Sequence, residues 1–230
     1  YKWDQAFLKG LESVCHQYNL PLLGGDTVAV PRHTGHFSAM TVIGLAPSCG
    51  VPDRRAAKEG DELWVTSPIG DAGFGLNLLK QKKNINHSAQ EKLVQAYRSP
   101  EPRLKEGIWL APHVHAMADI SDGLLIDAER IANASGLAVR IRLDRVPLSS
   151  EAISCFGDTK STRLQAVTAG DDYQLIMACA ANKRQELLKL SKEKQFDLYR
   201  VGQLTAGSGL SLFYGAEPIK QPDRLGYLHG

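Results

Sequence analysis

The most concentrated chemistry in the chain lies between Asp119 and Gly123. Two carboxylates, Asp119 and Asp122, flank Ser121, and Gly123 opens an apolar run. Leu124, Leu125, Ala128, Ile131 and Ala132 recur at helical spacing, and Gly136 stands where a left-handed residue ends a helix cheaply. The acids therefore precede a helix N-terminus, where backbone N–H groups lack intrahelical acceptors and the dipole is positive. Such a place suits phosphate, or a divalent ion bridging phosphates. An ordinary N-cap is the alternative reading of the same residues.

Glycine followed by acid recurs in Gly24-Gly25-Asp26-Thr27, in Gly70-Asp71 and in Gly170-Asp171-Asp172-Tyr173. A simple turn would also explain Gly24-Gly25-Asp26. Taken together, Asp26, Asp71, Asp119, Asp122, Asp171 and Asp172 are hard oxygen donors. Without histidine or cysteine partners they favour Mg²⁺ over zinc. His33 and His36 sit in a turn-rich stretch that reads as a solvated loop. The chain has no Gly-x4-Gly-Lys phosphate loop, no Gly-x-Gly-x-x-Gly fingerprint, no His-Glu-x-x-His and no Gly-x-Ser-x-Gly. The chemistry left is a nucleotide site run by magnesium without a phosphate loop.

The elements that must position these groups follow from periodicity and breakers. An amphipathic helix is predicted from Phe7 to Tyr18, ending near Asn19. Pro21-Leu22-Leu23 reads as a buried strand and Phe37 to Leu45 as another. Pro47 to Gly60, carrying Arg54-Arg55, is a connecting segment. Glu62 to Thr66 is a strand, and Asp71 is predicted to cap a small-residue helix reaching Leu79. Further helices are predicted over Gln90–Tyr97, from the Ser99–Arg103 elbow to Leu110, after Pro147-Leu148-Ser149, and over Lys183–Lys194. Strands are predicted over Leu137–Leu143, after Gly170-Asp-Asp-Tyr173, and over Leu198–Leu204 and Gly209–Tyr214. Strands and helices without strict alternation make the fold class α+β.

Composition excludes several classes. The 230 residues, 43% hydrophobic, can bury a substantial core, and a net charge of +2 advertises neither nucleic acid nor an anionic membrane. No apolar run has the length of a membrane span. The scattered Cys15, Cys49, Cys155 and Cys179 read as reduced core thiols of a cytoplasmic protein.

These motifs occur in a familiar order. Gly24-Gly25-Asp26-Thr27, Lys58 to Thr66, Gly70-Asp71, Pro100-Glu-Pro-Arg103, Asp119-Ile-Ser-Asp-Gly-Leu124 and Gly170-Asp-Asp-Tyr173 resemble the thiamine-monophosphate kinase family. That family belongs to the aminoimidazole ribonucleotide synthetase-like ATP-binding superfamily. The resemblance implies two domains: residues 1–57 as the remainder of an N-terminal ATP-binding and dimerisation domain, and 58–230 as a C-terminal mixed α/β sandwich. It implies ATP- and Mg²⁺-dependent phosphorylation of thiamine monophosphate to thiamine diphosphate by direct phosphoryl transfer, in a cytoplasmic homodimer.

By the same resemblance Gly25, Asp26, Arg54 and Ser121 contact ATP, with Arg55 as the alternative to Arg54. Asp26, Asp119 and Asp122 would be the magnesium ligands and the catalytic groups. Asp171 and Tyr227 would bind thiamine monophosphate. From sequence alone, a terminal aromatic such as Tyr227 more often just covers a core edge. Gln174 stands where the family has Glu, and Ala169 where it has Gly. The family's earlier acidic segment has no counterpart here, which implies a truncated N-terminal domain and, as the alternative function, an inactive nucleotide-binding or dimerisation fragment.

Overall fold

A computed structural model describes residues 2–31, 34–35, 37–81 and 87–228, so His33 and His36 lie outside the described residues. The chain divides into two compact units, Tyr1–Gly44 and Leu45–Gly230.

In the first unit, helix α1 spans Lys2–Gln17. Trp3 and Phe7, one turn apart, stack with ring centroids 5.4 Å apart. Asn19 takes φ 53°, a left-handed conformation this residue type tolerates, and the helix ends there. Neither strand predicted for this unit forms. Residues 21–23 and 37–44 carry no strand pairing, and Leu22, Leu23, Phe37, Met40, Val42 and Ile43 are all at least two-thirds exposed. A strand exists only as part of a ladder. The apolar pattern is present, but no described segment of this unit supplies a neighbour.

The second unit is built on a seven-stranded sheet. Its strands are β1 Glu62–Thr66, β2 Ala116–Ile120, β3 Ala138–Arg142, β4 Gln174–Cys179, β5 Leu198–Thr205, β6 Gly209–Tyr214 and β7 Glu217–Ile219. The order across the sheet is β2-β4-β1-β5-β3-β6-β7, antiparallel throughout except for the parallel pair β3 and β6. Helices are α2 Asp71–Lys80, α3 Ser88–Arg98, α4 Leu104–Leu110, α5 Leu124–Ala134, α6 Ser150–Phe156, α7 Lys160–Thr168 and α8 Arg184–Lys194. Among these strands and helices, β2, α7 and β7 were not anticipated. α7 lacks a clear apolar period, and β7 is three residues long.

The main core joins α5 to the sheet: Leu124, Leu125, Ala128 and Ile131 pack with Ile120, Val139, Ile141 and Ile176, all fully buried. Each such Leu, Ile or Val side chain contributes on the order of 1.5–3 kcal/mol of apolar burial. That burial fixes the start of α5 against the end of β2. A second cluster, with Trp64, Leu110, Met177 and Leu187, includes β1, β4, α4 and α8. A third joins α2, α3 and α6 through Phe74, Leu93 and Ala152, with Phe74 stacked on Phe156 at 4.8 Å. All four cysteines are free. Cys179 is buried, but Cys49 is exposed in the connecting segment, so the core-thiol reading fails there. No helix among the described residues is long and apolar enough to cross a membrane.

Candidate functional site

Three carbonyls in a row organise the second unit's candidate site. Ile120, Ser121 and Asp122, where β2 gives way to α5, accept the N–H groups of Tyr173, Asp171 and Tyr227 respectively, each at 2.8 Å. The Asp-Ile-Ser-Asp turn, the Gly-Asp-Asp-Tyr turn and the tail are thereby stitched together. The ladder explains the first link, because Ile120 pairs with Gln174 at the start of β4. Close approach explains the others. A Cβ on Gly170 would lie 2.6 Å from the Ser121 carbonyl oxygen, and one on Gly226 would lie 2.4 Å from that of Asp122. Only glycine lets either backbone come so near.

Asp119, near the end of β2, is about half exposed and faces Arg54, whose Nη2 lies 3.5 Å from its Oδ1. Arg55 is occupied elsewhere, in a two-pronged pair with Asp53 whose closest approach is 2.5 Å. The Arg55 side chain and its N–H hold the Asp53 carboxyl down at about 2. Of the two arginines, Arg54 is therefore the one turned toward the candidate acids. Ser135, at the end of α5, donates its hydroxyl to the Arg54 carbonyl at 2.9 Å and fixes this loop. Pro52, Arg54, Met117 and Asp119 line an open cleft here.

Asp122 is nearly buried and accepts from Arg130 Nη1 at 2.6 Å. Asp127, one turn into α5, is more deeply buried and is a residue the sequence reading assigned no role. Its Oδ2 accepts the N–H groups of Ser121 and Asp122 at 3.1 and 3.2 Å, and its Oδ1 accepts from Arg130 at 2.8 Å. Burial raises its pKa while Arg130 pulls it down. The N–H groups of Ser121 and Asp122, expected to be open to an anion, are therefore already bonded. An acid on the buried face of α5 was the available signal, since such an acid needs partners.

Asp71 and Asp172 also leave the list of available donors. Asp71 does not cap α2; Gly70 is the N-cap, at φ 96°, and the Asp71 carboxylate accepts from Ser149 Oγ at 2.7 Å. The cap is instead Asp172, which accepts the N–H of Gly70 at 2.7 Å and of Ala72 at 3.3 Å. Burial pushes the Asp172 carboxyl up to about 8, against the pull of those two donors. Asp171, on the other side of the same turn, lies near the Tyr173 hydroxyl at 3.4 Å.

Asp26 and Gly25 belong to the first unit, where Asp26 Oδ1 accepts the Thr27 N–H at 2.7 Å. Among the described residues no group of three or more His, Cys, Asp or Glu side chains is arranged to hold a metal ion. The donor chemistry of Asp119 and Asp122, carboxylate oxygens at the mouth of a cleft and at a helix start, still fits magnesium rather than a softer ion.

Comparison with known proteins identifies the family. Residues 58–215 match the family described as AIR synthase related protein, C-terminal domain. A thiamine-monophosphate kinase of Caulobacter vibrioides is 34% identical over 229 residues, covering 98% of this chain and 63% of the relative. This chain thus spans less than two thirds of that relative's length. The crystal structure of thiamine-monophosphate kinase from Stenotrophomonas maltophilia K279a aligns with TM-score 0.67 and 31% identity, over 74% of this chain and 55% of that one. A structure described as AaThiL complexed with AMPPCP and TMP aligns with TM-score 0.61 and 26% identity, over 76% of this chain and 53% of that one. The chain belongs to the AIR synthase related family, carries its C-terminal domain at residues 58–215, and is a homologue of the thiamine-monophosphate kinases.

Proposed function

We propose that this protein transfers the γ-phosphoryl group of ATP to thiamine monophosphate, giving thiamine diphosphate. The observation that carries this reading is the stitching of Ser121 and Asp122, Asp171 and Tyr227 through three adjacent carbonyls. It brings a would-be nucleotide turn against two would-be acceptor residues. The relative solved with AMPPCP and TMP supports the pairing of a nucleotide with a phosphorylated acceptor.

Transfer between two polyanions needs positioning and charge neutralisation more than a strong base. In this reading Arg54 meets the nucleotide phosphates, and Asp119, Asp122 and Asp26 would hold magnesium, with Gly25 and Ser121 at the ATP. Bound magnesium would neutralise phosphate charge at that point. Asp171 would face the acceptor's cationic ring and Tyr227 would lie against it. The domain boundary proposed is 57/58, with the first part serving ATP binding and a homodimer interface.

A second reading concerns the 230 residues on their own. The exposed Leu22, Leu23, Phe37, Met40, Val42 and Ile43 favour a chain that binds nucleotide yet turns over slowly without a partner for those segments. Calorimetric titration with Mg-ATP and with thiamine monophosphate, beside a coupled ADP-release assay, tests both. Binding of both ligands with slow release supports both readings. No binding of either ligand removes the kinase reading.

A further inference from the structure

Tyr173 and Asp171 both adopt left-handed backbone conformations, at φ 50° and 68°. For a bulky aromatic this is a true outlier, tolerated only where its surroundings over-determine it. They do so here. Asp171 N–H and Tyr173 N–H are fixed to the Ser121 and Ile120 carbonyls, and Asp172 between them is pinned to Gly70 and Ala72. Gln174 continues the restraint: its Nε2 donates to the Asp172 carbonyl at 3.4 Å, and its Oε1 accepts from Thr66 and from Arg103.

The strain has a geometric result. Residue 172 points into the protein, while 171 and 173 emerge together, with the phenol hydroxyl 3.4 Å from the Asp171 carboxylate. Tyr173 remains 39% exposed, so packing alone does not explain its place. Burial first and Asp171 next raise its pKa, with Asp119 and Asp122 adding smaller contributions. A neutral phenol that donates to one carboxylate in a field of several can orient that carboxylate without adding charge.

We propose that Tyr173 is a positioning residue of the acceptor site: its hydroxyl holds the Asp171 carboxylate toward the cationic ring of the acceptor. This rests on the kinase reading above. The backbone strain at 171 and 173 is what makes the pair converge on one side of the turn.

Calorimetry on the 230-residue chain tests it, with thiamine monophosphate and Mg-ATP as separate probes. Tyr173→Phe should weaken thiamine monophosphate binding roughly tenfold, the order of one hydrogen bond to a charged group, and leave Mg-ATP binding and Tm unchanged. Tyr173→Asn, whose side chain tolerates the left-handed region, should keep Tm at or above the wild-type value while acceptor binding falls equally. Wild-type acceptor affinity in Tyr173→Phe overturns the inference and leaves the kinase reading standing. A marked drop in Tm for Tyr173→Asn with unchanged acceptor binding makes the ring structural and overturns it too. Failure of the wild-type chain to bind thiamine monophosphate removes the kinase reading, and the inference with it.

Discussion

The carboxylate of Asp172 accepts the main-chain N–H of Gly70, 102 residues earlier, at 2.7 Å. A helix end is thus capped by a residue from a distant turn, and that turn carries Asp171 and Tyr173. The start of α2 and the candidate acceptor site share one buried carboxyl.

This sharing predicts a pH dependence. Burial raises the Asp172 pKa to about 8, above its ordinary value of 3.8. The folded state therefore holds a proton that the unfolded state releases. Its stabilising contribution is complete below about pH 4 and is lost as pH rises through about 8, with a slope of at most about 1.4 kcal/mol per pH unit. Asp172→Asn should flatten this part of the Tm-versus-pH curve. Asp172→Ala should cost roughly 2–4 kcal/mol or more at acid pH, because Gly70 and Ala72 N–H lose their acceptor, and less as pH rises toward 8. An unchanged slope in Asp172→Asn assigns the pH dependence elsewhere.

Asp127 is predicted to be the stability-critical acid of the central turn. Asp127→Ala leaves two N–H groups without an acceptor and removes a buried partner from Arg130. Arg130, 40% exposed, keeps Asp122, so the two N–H groups left without an acceptor dominate, at about 2–4 kcal/mol together, read as a fall in the denaturant midpoint. A loss below about 0.5 kcal/mol, the range of ordinary surface substitutions, would show that the turn is held by the carbonyl links alone.

Much of the second unit was legible because its signals are local. Leu124, Leu125, Ala128 and Ile131 mark α5 by spacing alone, Gly136 ends it at φ 69°, and Ser149 caps α6 by accepting the Ala152 N–H. The meeting of Asp171, Ser121 and Tyr227 is a different kind of fact. It is made by main-chain hydrogen bonds between segments far apart in sequence, and no residue type announces those. Asp71 and Asp172 show the same limit: both look like donors on glycine turns, and burial assigns both to internal bonds. Pro21–Leu23 and Phe37–Leu45 failed for the converse reason. Their apolar pattern is strand-like, but strand formation needs a neighbour that a single segment cannot specify.

Magnesium-dependent nucleotide binding should depend on Asp119 and Asp122 together. Asp119→Asn also loosens the hold on Arg54, so its effect should appear on nucleotide affinity with little change in Tm, both partners being about half exposed. Asp122→Asn should weaken Mg-ATP binding about tenfold or more, and chelating magnesium should abolish the difference from wild type. Equal Mg-ATP affinity in a folded Asp122→Asn protein removes Asp122 from the metal ligands.

The tail offers the sharpest separation of acceptor from nucleotide. Tyr227 is held by its N–H to the Asp122 carbonyl at 2.8 Å, and Gly226 beside it has no room for a side chain. A Cβ there would lie 2.4 Å from that same carbonyl oxygen and 2.5 Å from Ile126 Cγ2. The carbonyl is main chain, fixed where β2 passes into α5, so the tail must move instead. Gly226→Ala should therefore displace Tyr227 without changing its chemistry, and Tyr227→Ala should remove the ring without displacing the tail. If Tyr227 stacks on the cationic acceptor, contributing roughly 0.5–2 kcal/mol, both variants should raise the apparent constant for thiamine monophosphate several-fold and leave that for ATP nearly unchanged. A core-edge role predicts otherwise: with 61% of Tyr227 exposed, Tyr227→Ala would then alter neither constant. Loss of ATP affinity in both variants, with the acceptor untouched, would assign the tail to the nucleotide turn through Asp122.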